Sequence, residues 1–443
     1  MTFAADDIGG RKSGQVQSAS TAITRESGHR HRVVITGMGA VTPLGNDVEE
    51  YWRKLRDGVS GIAPITQFDT TGYPTTIAGE VKGFNAGDYL DAKEARRMSR
   101  VIQLAVAATR EAIEQSGLKV TEANCHDVGV IIGSGIGSLT SSDRECRVML
   151  DKGGMRINPF FLPMMLPNMA SAQVSRIFGL RGYNTTVVTA CASGGHSIGE
   201  AAEVIRRGAA QVMITGGAEA SICELGLASF CVIRALSQRN DEPQKASRPF
   251  DLHRDGFVPA EGAGVVVLES LEHALRRDAP ILAELVGYAG TCDAYHVVAP
   301  EPEATGIAEA MRRALADAGL QPADVSYVNA HATSTSVGDV AETVGIKRIF
   351  GELAYRVPVS ATKSMTGHSI GAAGGIELIA CVLSMRDGVV HPTTNYEMPD
   401  PECDLDYVPN ILRKIDVEVA MSNSFGFGGQ NACLIVRRYR SSY

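Results

Sequence analysis

Short apolar or β-branched runs alternate along the chain with stretches of helical periodicity. Runs without polar interruption are typical of strands covered on both faces, and three occur in the first half, at 128–132, 186–189 and 212–215. Helical spacing is clearest over 98–117, where apolar residues recur every three or four positions and Gly117 is placed to cap the helix. The alternation predicts a mostly parallel sheet sandwiched between helices.

The start of the ordered fold is predicted at Arg32, where a β-branched run leads to Gly37 and a helix follows from about Asn46. Residues 1–30 mix acidic and basic side chains without an apolar segment, so we expect a flexible extension rather than a signal peptide. At 443 residues the chain exceeds the usual single domain, which favours two units or one large duplicated core.

One helix–strand pattern occurs twice. The segment AIEQSGL at 112–118 is echoed by ALADAGL at 314–320, and each copy precedes a strand that opens with Asp-Val. The echo predicts an internal duplication. The alternative is two unrelated helix–strand units that share a common glycine cap.

Composition narrows the classes of function. The formal net charge of −8 argues against nonspecific binding to nucleic acid, and the absence of long uninterrupted apolar runs argues against a membrane span. The nine cysteines include no CxxC pair, so neither a disulfide framework nor a zinc ribbon is indicated. A reducing cytoplasm fits this cysteine usage best.

The segment TACASGG at 189–195 is the sharpest of four candidate chemical features. It places Cys191 between a predicted strand and a helix, where unpaired N–H groups and the positive end of the helix dipole favour a thiolate nucleophile. Its small neighbours leave room for a substrate. The alternative is a buried cysteine that acts as a small hydrophobic residue.

Two histidines provide the second and third features. His331 follows a predicted strand within VNAHATST, and His368 lies in KSMTGHS, which leads into an apolar helix that carries Glu377. A carboxylate on such a helix needs a partner, and Lys363 is the obvious one. Each histidine taken alone could instead be a core residue with a satisfied hydrogen bond.

The fourth feature is the glycine-rich segment NSFGFGG at 423–429. Its glycines could turn backbone N–H groups toward a developing oxyanion, or they could form a turn before the last predicted strand at 433–437. A phosphate-binding loop is excluded because no Gly-Lys-Ser/Thr sequence follows.

In this order the four segments resemble the decarboxylating condensing enzymes of the thiolase-like superfamily, specifically the 3-oxoacyl-[acyl-carrier-protein] synthase II group. The resemblance covers residues 31–440 and includes SRPFD at 247–251, RDGF at 254–257 and DLDYVP at 404–409. It implies an α/β fold of the thiolase-like type, a duplicated five-layered αβαβα arrangement. The halves would span 31–280 and 281–443, and the enzyme would normally be a homodimer.

The resemblance also implies a reaction. An acyl group and a malonyl group, each held on the phosphopantetheine of acyl carrier protein, would condense with loss of CO₂, without a cofactor or metal. Cys191 would be acylated, and His331 and His368 would donate hydrogen bonds to the enolate. Lys363 and Glu377 would support the two histidines.

Further residues match family positions that contact substrate or carrier. Phe427 would gate the pocket and, with Cys191, offer a backbone N–H to the oxyanion. The positions implied for substrate binding are Thr333, Thr335, Ile136 and Phe425. The positions implied for carrier binding are Lys93, Arg96, Arg97 and Arg234, although such charges often form only a solvated face. Val298 and Ala299 depart from the family, which frequently has hydroxyl residues there.

Related classes differ at diagnostic positions. A thiolase needs a second cysteine in the glycine-rich loop, and a chain-initiating synthase has asparagine where this chain has His368. A silent chain-length factor lacks the nucleophile that Cys191 provides. An active ketosynthase of a type II polyketide pathway keeps the same three residues and is the alternative function.

Overall fold

The computed structural model describes residues 30–440, so the predicted extension at 1–30 lies outside the described residues except for Arg30. The strands are β1 (Val33–Val41), β2 (Ala63–Pro64), β3 (Ile77–Ala78), β4 (Val128–Gly133), β5 (Asn184–Thr185), β6 (Val212–Glu219), β7 (Gly262–Ser270), β8 (Ala283–Cys292), β9 (Tyr327–Asn329), β10 (Val359–Ser360), β11 (Val389–Val390), β12 (Arg413–Lys414), β13 (Val419–Gly426) and β14 (Gln430–Arg437). The helices are α1 (Val48–Arg56), α2 (Ala92–Ala95), α3 (Arg100–Ser116), α4 (Leu139–Lys152), α5 (Phe161–Met165), α6 (Met169–Phe178), α7 (Ser193–Arg206), α8 (Glu224–Val232), α9 (Leu271–Arg276), α10 (Thr305–Ala318), α11 (Gly338–Phe350), α12 (Lys363–Thr366) and α13 (Ala373–Asp387).

Ten of these strands form one sheet in the order β10-β9-β13-β14-β8-β1-β7-β6-β4-β5. The first half of the chain supplies β5, β4 and β6 as parallel neighbours, and then β7 and β1 as antiparallel ones. The second half repeats this arrangement with β10, β9, β13, β14 and β8. The predicted duplication is thus present in strand order and direction, and a short pairing of β1 with β8 joins the two copies.

Helices fill the spaces between and outside the two copies. α7 and α13 contact strands of both halves, whereas α3 and α6 pack on the first half and α10 and α11 on the second. Side chains alternate accordingly, so that Leu268 of β7 faces the central helices and Val267 faces the outer layer. This arrangement confirms the five-layered αβαβα prediction. The described residues from 31 to 440 belong to one compact unit.

Two predictions about the strands are wrong. The sheet is mixed, with four parallel and five antiparallel pairings, because the last strand of each half returns beside the first. Residues 186–189 are not a strand: the Thr186 hydroxyl binds that of Ser171 at 2.8 Å, and the Thr189 N–H binds the Ser193 hydroxyl at 2.8 Å as the chain leaves the sheet.

The long periodic helix is confirmed as α3, with Gly117 as its left-handed cap. None of the described helices combines the length and apolar content that crossing a membrane requires.

Candidate active site

Cys191 lies in a single tight turn, Ala190–Ala192, that leads directly into α7. Ala190 holds a φ of 49°, a conformation that an L-residue rarely adopts and that the surroundings must enforce. The backbone of Gly426 packs so closely here that a Cβ would come 2.6 Å from the Thr189 oxygen and 3.3 Å from the Cys191 nitrogen. The glycine-rich segment therefore lies against the thiol's own turn.

Three predicted side chains meet at this turn. The His368 Nε2 atom lies 3.0 Å from the Cys191 sulfur, and the rings of His331 and His368 are perpendicular with centroids 5.4 Å apart. One nitrogen of each ring and the sulfur all lie within 4.8 Å of one another. Cys191 comes from the first half of the chain and both histidines from the second, so the site exists only where the halves meet.

Burial keeps all three groups neutral at rest. Burial is the largest influence on Cys191 and raises its pKa to about 12, although the Lys363 charge and the backbone N–H of Phe427 oppose the shift. The backbone N–H of Cys191 itself, in the turn that leads into α7, does favour the thiolate, as expected, but desolvation of the sulfur is the larger influence on its pKa. Burial, and after it the Lys363 charge, hold the pKa of both histidines well below the usual value.

Lys363 forms the predicted buried ion pair with Glu377. Its ammonium also donates to the backbone oxygen of His331 at 2.6 Å and lies 3.4 Å from Nδ1 of that ring. Because an ammonium can only donate, Nδ1 acts as the acceptor and the ring proton sits on Nε2. The pair thus orients His331.

Glu342 is a structural partner of the site that the sequence did not single out. Its carboxylate accepts the N–H groups of His331 at 2.8 Å and Ala332 at 2.7 Å, and Asn423 donates to it at 3.2 Å. Burial raises its pKa to about 7. The signal was available, because a carboxylate buried in α11 needs donors of this kind.

A cavity of about 310 Å³ opens onto the three groups. The residues predicted to contact substrate all line it, namely Ile136, Thr333, Thr335, Phe425 and Phe427. The hydroxyls of Thr333 and Thr335 lie 3.1 Å apart, and Val298 and Ala299 contribute apolar groups to the same cavity. Phe230, Phe257 and Ile370 belong to one apolar cluster and also line the cavity.

The loop that carries Val298 is joined to the tip of the β13–β14 hairpin. Gly428 donates to the Val297 oxygen at 2.9 Å, and Asp293 donates its N–H to Gly429 at 2.8 Å. Asn431 of β14 adds a bond to the Asp293 carboxylate at 2.6 Å. A displacement of the hairpin tip beside Phe427 would therefore involve this loop as well.

The predicted carrier-binding residues lie in two places. Arg234 is exposed and lines the cavity, as expected for a residue at its entrance. Lys93, Arg96 and Arg97 lie in and just after α2 and do not line the cavity. Arg97 stacks over the Phe160 ring at 4.7 Å.

Comparison with known proteins gives matches over nearly the whole chain. A family model described as the N-terminal domain of beta-ketoacyl synthase matches residues 30–274, and one described as the C-terminal domain matches residues 282–397. A protein of Synechocystis sp. named 3-oxoacyl-[acyl-carrier-protein] synthase 2 is 51% identical over 93% of this chain and 99% of its own length. One of the same name from Staphylococcus aureus is 52% identical with the same coverage.

Solved structures match at the level of fold and sequence. A beta-ketoacyl synthase from Burkholderia phymatum superposes with a TM-score of 0.86 and 40% identity, over 93% of this chain and all of that one. A ketosynthase in complex with a type II polyketide acyl-carrier protein superposes with a TM-score of 0.86 and is 35% identical, again over 93% of this chain and all of that one.

Proposed function

The chain belongs to the beta-ketoacyl synthase family, and from this premise we propose that Cys191, His331 and His368 carry out a decarboxylative condensation. It is a condensing enzyme of the 3-oxoacyl-[acyl-carrier-protein] synthase type, an acyltransferase of fatty-acid elongation. The proposed roles of these residues rest on one observation. The thiol and two neutral imidazoles all face the same cavity.

The first half-reaction transfers the acyl group to sulfur. His368 takes the thiol proton through the 3.0 Å contact as the sulfur attacks the thioester carbonyl. The backbone N–H groups of Cys191 and Phe427 hold the resulting oxyanion, and one such donor is worth about 3–4 kcal/mol of the barrier. The tetrahedral species collapses, the carrier's sulfur leaves, and the proton from His368 neutralises it.

The second half-reaction forms the carbon–carbon bond. The malonyl thioester loses CO₂, and the electron pair of the broken bond moves into an enolate whose oxygen accepts hydrogen bonds from His331 and His368. Neutral rings suit this role because they donate without transferring a proton completely. The enolate carbon then attacks the acyl-Cys191 carbonyl, the oxyanion collapses, and the sulfur leaves as a thiolate. That thiolate takes a proton from water, so the half-reaction consumes one proton.

The geometry separates this reaction from its relatives. The hairpin tip beside Cys191 contains no cysteine, and Cys433 is buried further along β14 and does not line the cavity. The second acid/base thiol of a thiolase is therefore missing. His368 supplies the third group where a chain-initiating synthase has asparagine.

A polyketide ketosynthase is the second candidate function. It is favoured by the structural relatives, one titled as a type II polyketide ketosynthase complex and another as the ishigamide ketosynthase and chain length factor, with 38% identity. The curated relatives named for fatty-acid synthesis are more similar in sequence, at 51–52% identity. We therefore place the fatty-acid reaction first.

The partner of this chemistry is an acyl carrier protein, whose phosphopantetheine arm would enter past Arg234 to reach the Thr333 and Thr335 hydroxyls. Support comes from the structural relative that was solved with such a carrier. The arm is substrate, and the steps above require no cofactor. We also place the enzyme in the cytoplasm, because all nine cysteines lie in the described part of the chain as free thiols.

A second copy of the chain is the other proposed partner. Large apolar side chains are exposed on α4, α5 and the segment between them, with Leu150 at 79%, Met155 at 98% and Leu162 at 64%. These elements contact one another and, through α6, the two-residue edge strand β5, whose outer backbone groups have no strand beside them in the described chain. An apolar surface next to an open sheet edge suits pairing with an identical surface.

Intact-mass measurement after incubation with acyl-carrier protein tests the nucleophile. The wild type is expected to gain one acyl group and Cys191→Ala none. Cys146→Ala is the matched control, because Cys146 is exposed outside the cavity, and it should acylate normally. An adduct on Cys191→Ala, or none on the wild type, would refute the assignment.

A further inference from the structure

Glu219 is a buried carboxylate at the end of β6, and the condensation chemistry does not use it. β6 runs parallel to β4, and Gly217 is paired with Gly133, the last residue of β4. β6 therefore extends two residues further than its neighbour. This extension places Glu219 beside the loop that leaves β4 and leads to Ile136.

The carboxylate joins two loops from different halves of the chain. It accepts the N–H of Gly135 at 2.7 Å and the N–H of Gly371 at 3.2 Å, and the Ser134 hydroxyl lies 3.3 Å away. All three donors are neutral. Burial raises the pKa of Glu219 to about 7, so the group is an ionised acceptor at pH 8.

The joined loops have no free space between them. A Cβ on Gly371 would lie 2.3 Å from the Gly135 nitrogen, and one on Gly135 would lie 2.6 Å from a methyl of Ile370. Ile370 itself holds a φ of 47°, which is rare for a β-branched residue and which its surroundings must maintain. The bond from the next peptide, Gly371, to Glu219 is one such restraint.

The side chains next to these bonds form part of the cavity wall. Ile136 follows Gly135, Ile370 precedes Gly371, and both line the cavity beside Cys191 within one apolar cluster. In that position they face the acyl chain that the proposed function places on the sulfur. A shift of either loop would change the space available to that chain.

We propose that Glu219 is a positioning residue that sets acyl chain-length selectivity by fixing the Ile136 and Ile370 loops against each other. The inference rests on the proposed function, because it requires an acyl group on Cys191. Glu219 contacts neither the thiol nor the histidines by hydrogen bond in the described structure. Its charge is one of the smaller influences that raise the pKa of Cys191, but that influence is the same for every acyl chain, whereas a change in the shape of the pocket is not.

The test replaces Glu219 by glutamine, which keeps the size but replaces the charged oxygen that accepts both the Gly135 and Gly371 N–H groups by a neutral amide oxygen, whose hydrogen bonds are about half as strong. Loading of Cys191 is measured by intact mass at pH 8 with acyl carriers of increasing chain length. We expect the loading rate of long chains relative to short ones to rise by about tenfold, the scale on which one methylene is discriminated in an apolar pocket. CO₂ release from malonyl carrier should stay within about twofold of the wild type, since a group that does not act in the transition state leaves that rate unchanged.

Glu111 supplies the matched control. It is a buried carboxylate that accepts two backbone N–H groups, from Val48 at 2.8 Å and Ala40 at 2.9 Å, and its pKa is also raised to about 7, but it does not line the cavity. Glu111→Gln should lose stability and keep the wild-type chain-length profile. Glu219→Asp, a shorter carboxylate, should give an intermediate profile.

The outcomes separate this inference from the proposed function. If Glu219→Gln loads acyl chains with the wild-type preference for chain length, or loses loading rate equally at every length, Glu219 does not have the proposed role. Acylation of the wild type in the same assay would still support the proposed function. The same change of chain-length preference in Glu111→Gln would also overturn the role of Glu219, because the change would then follow from lost stability in general. A wild type that does not acylate at Cys191 would instead refute the proposed function.

Discussion

Desolvation sets the protonation states at the bottom of the cavity. It raises the pKa of Cys191 and lowers those of His331 and His368, so the resting site holds a thiol and two neutral rings. A neutral histidine can both accept a proton and donate a hydrogen bond, whereas an imidazolium can only donate. The proposed half-reactions use these two abilities in turn. His368 first accepts the thiol proton at Nε2 and passes it on; to donate from Nε2 afterwards it must carry its ring proton there, and Nδ1 has no hydrogen-bond partner among the described residues that would hold the proton instead.

Removal of the His331 ring should separate the two half-reactions. His331→Ala retains the 3.0 Å contact between His368 and Cys191, so acylation should proceed at nearly the wild-type rate. Release of CO₂ from malonyl carrier should fall by about 10²–10³-fold, as for loss of one oxyanion donor. Acylation of the same variant, followed by intact mass, is the internal control. Normal CO₂ release would exclude His331 as a donor to the enolate.

Some residues of the site could be read from the sequence and others could not. Cys191, His331 and His368 each lie in a distinctive motif, and Glu377 was noticed because a carboxylate on an apolar helix needs a partner. The same reasoning applies to Glu219 at the end of a buried strand. It was missed because its two closer donors are backbone N–H groups from distant loops, and the third, the Ser134 hydroxyl, does not belong to a motif that marks such a contact.

Three elements are held together by the Lys363–Glu377 pair. Lys363 begins α12, Glu377 lies on α13, and the ammonium reaches the loop after β9 through the backbone of His331. An ion pair buried this deeply contributes little net stability compared with apolar groups, but loss of one partner leaves an uncompensated charge. We propose that its principal contribution is orientation of the His331 ring, which the ammonium contacts at Nδ1 and at the backbone oxygen.

Single and double replacements distinguish orientation from stability. Lys363→Met should lower the free energy of unfolding by about 3–5 kcal/mol, because Glu377 remains buried without its partner. Adding Glu377→Leu should restore most of that loss in urea unfolding. CO₂ release should stay low in both variants, since neither has the ammonium that orients His331. Recovery of CO₂ release in the double variant would show that the pair acts only through stability.

Loop geometry around the site was beyond prediction from sequence. Ala190, Ala332 and Ile370 all have positive φ angles, although none is glycine or asparagine. No local preference favours these conformations, so tertiary contacts must impose them. The helices beside the same loops were predicted well, because apolar periodicity and the cap at Gly117 are local signals.

At the scale of the whole molecule, the sequence showed the internal duplication only through one repeated feature, the glycine-capped end of a helix. Gly117 and Gly319 cap α3 and α10 with the same φ of 65°, and each helix leads to the corresponding strand of its half. Strand direction was not visible in this way. The antiparallel return of β7 and β14 depends on pairing with distant strands, and alternation along the chain does not encode it.

The exposed surface around α4 and α5 gives a prediction about assembly. If it is the contact between two copies, the wild type should sediment at about twice the chain mass of 47.0 kDa. Met155→Asp with Leu162→Asp should give monomers, because a stable interface buries roughly 800 Å² per partner and charges placed within it would be desolvated.

The matched control for this assembly carries the same charges on other exposed apolar positions. Leu275 lies on α9 and Ile411 precedes β12, at 57% and 77% exposure, and neither belongs to the elements around β5. Leu275→Asp with Ile411→Asp should therefore leave the dimer intact. A monomeric wild type would contradict the proposed assembly. If both double variants dissociate equally, the contact does not lie specifically at α4 and α5, because added charge would then separate the copies wherever it is placed.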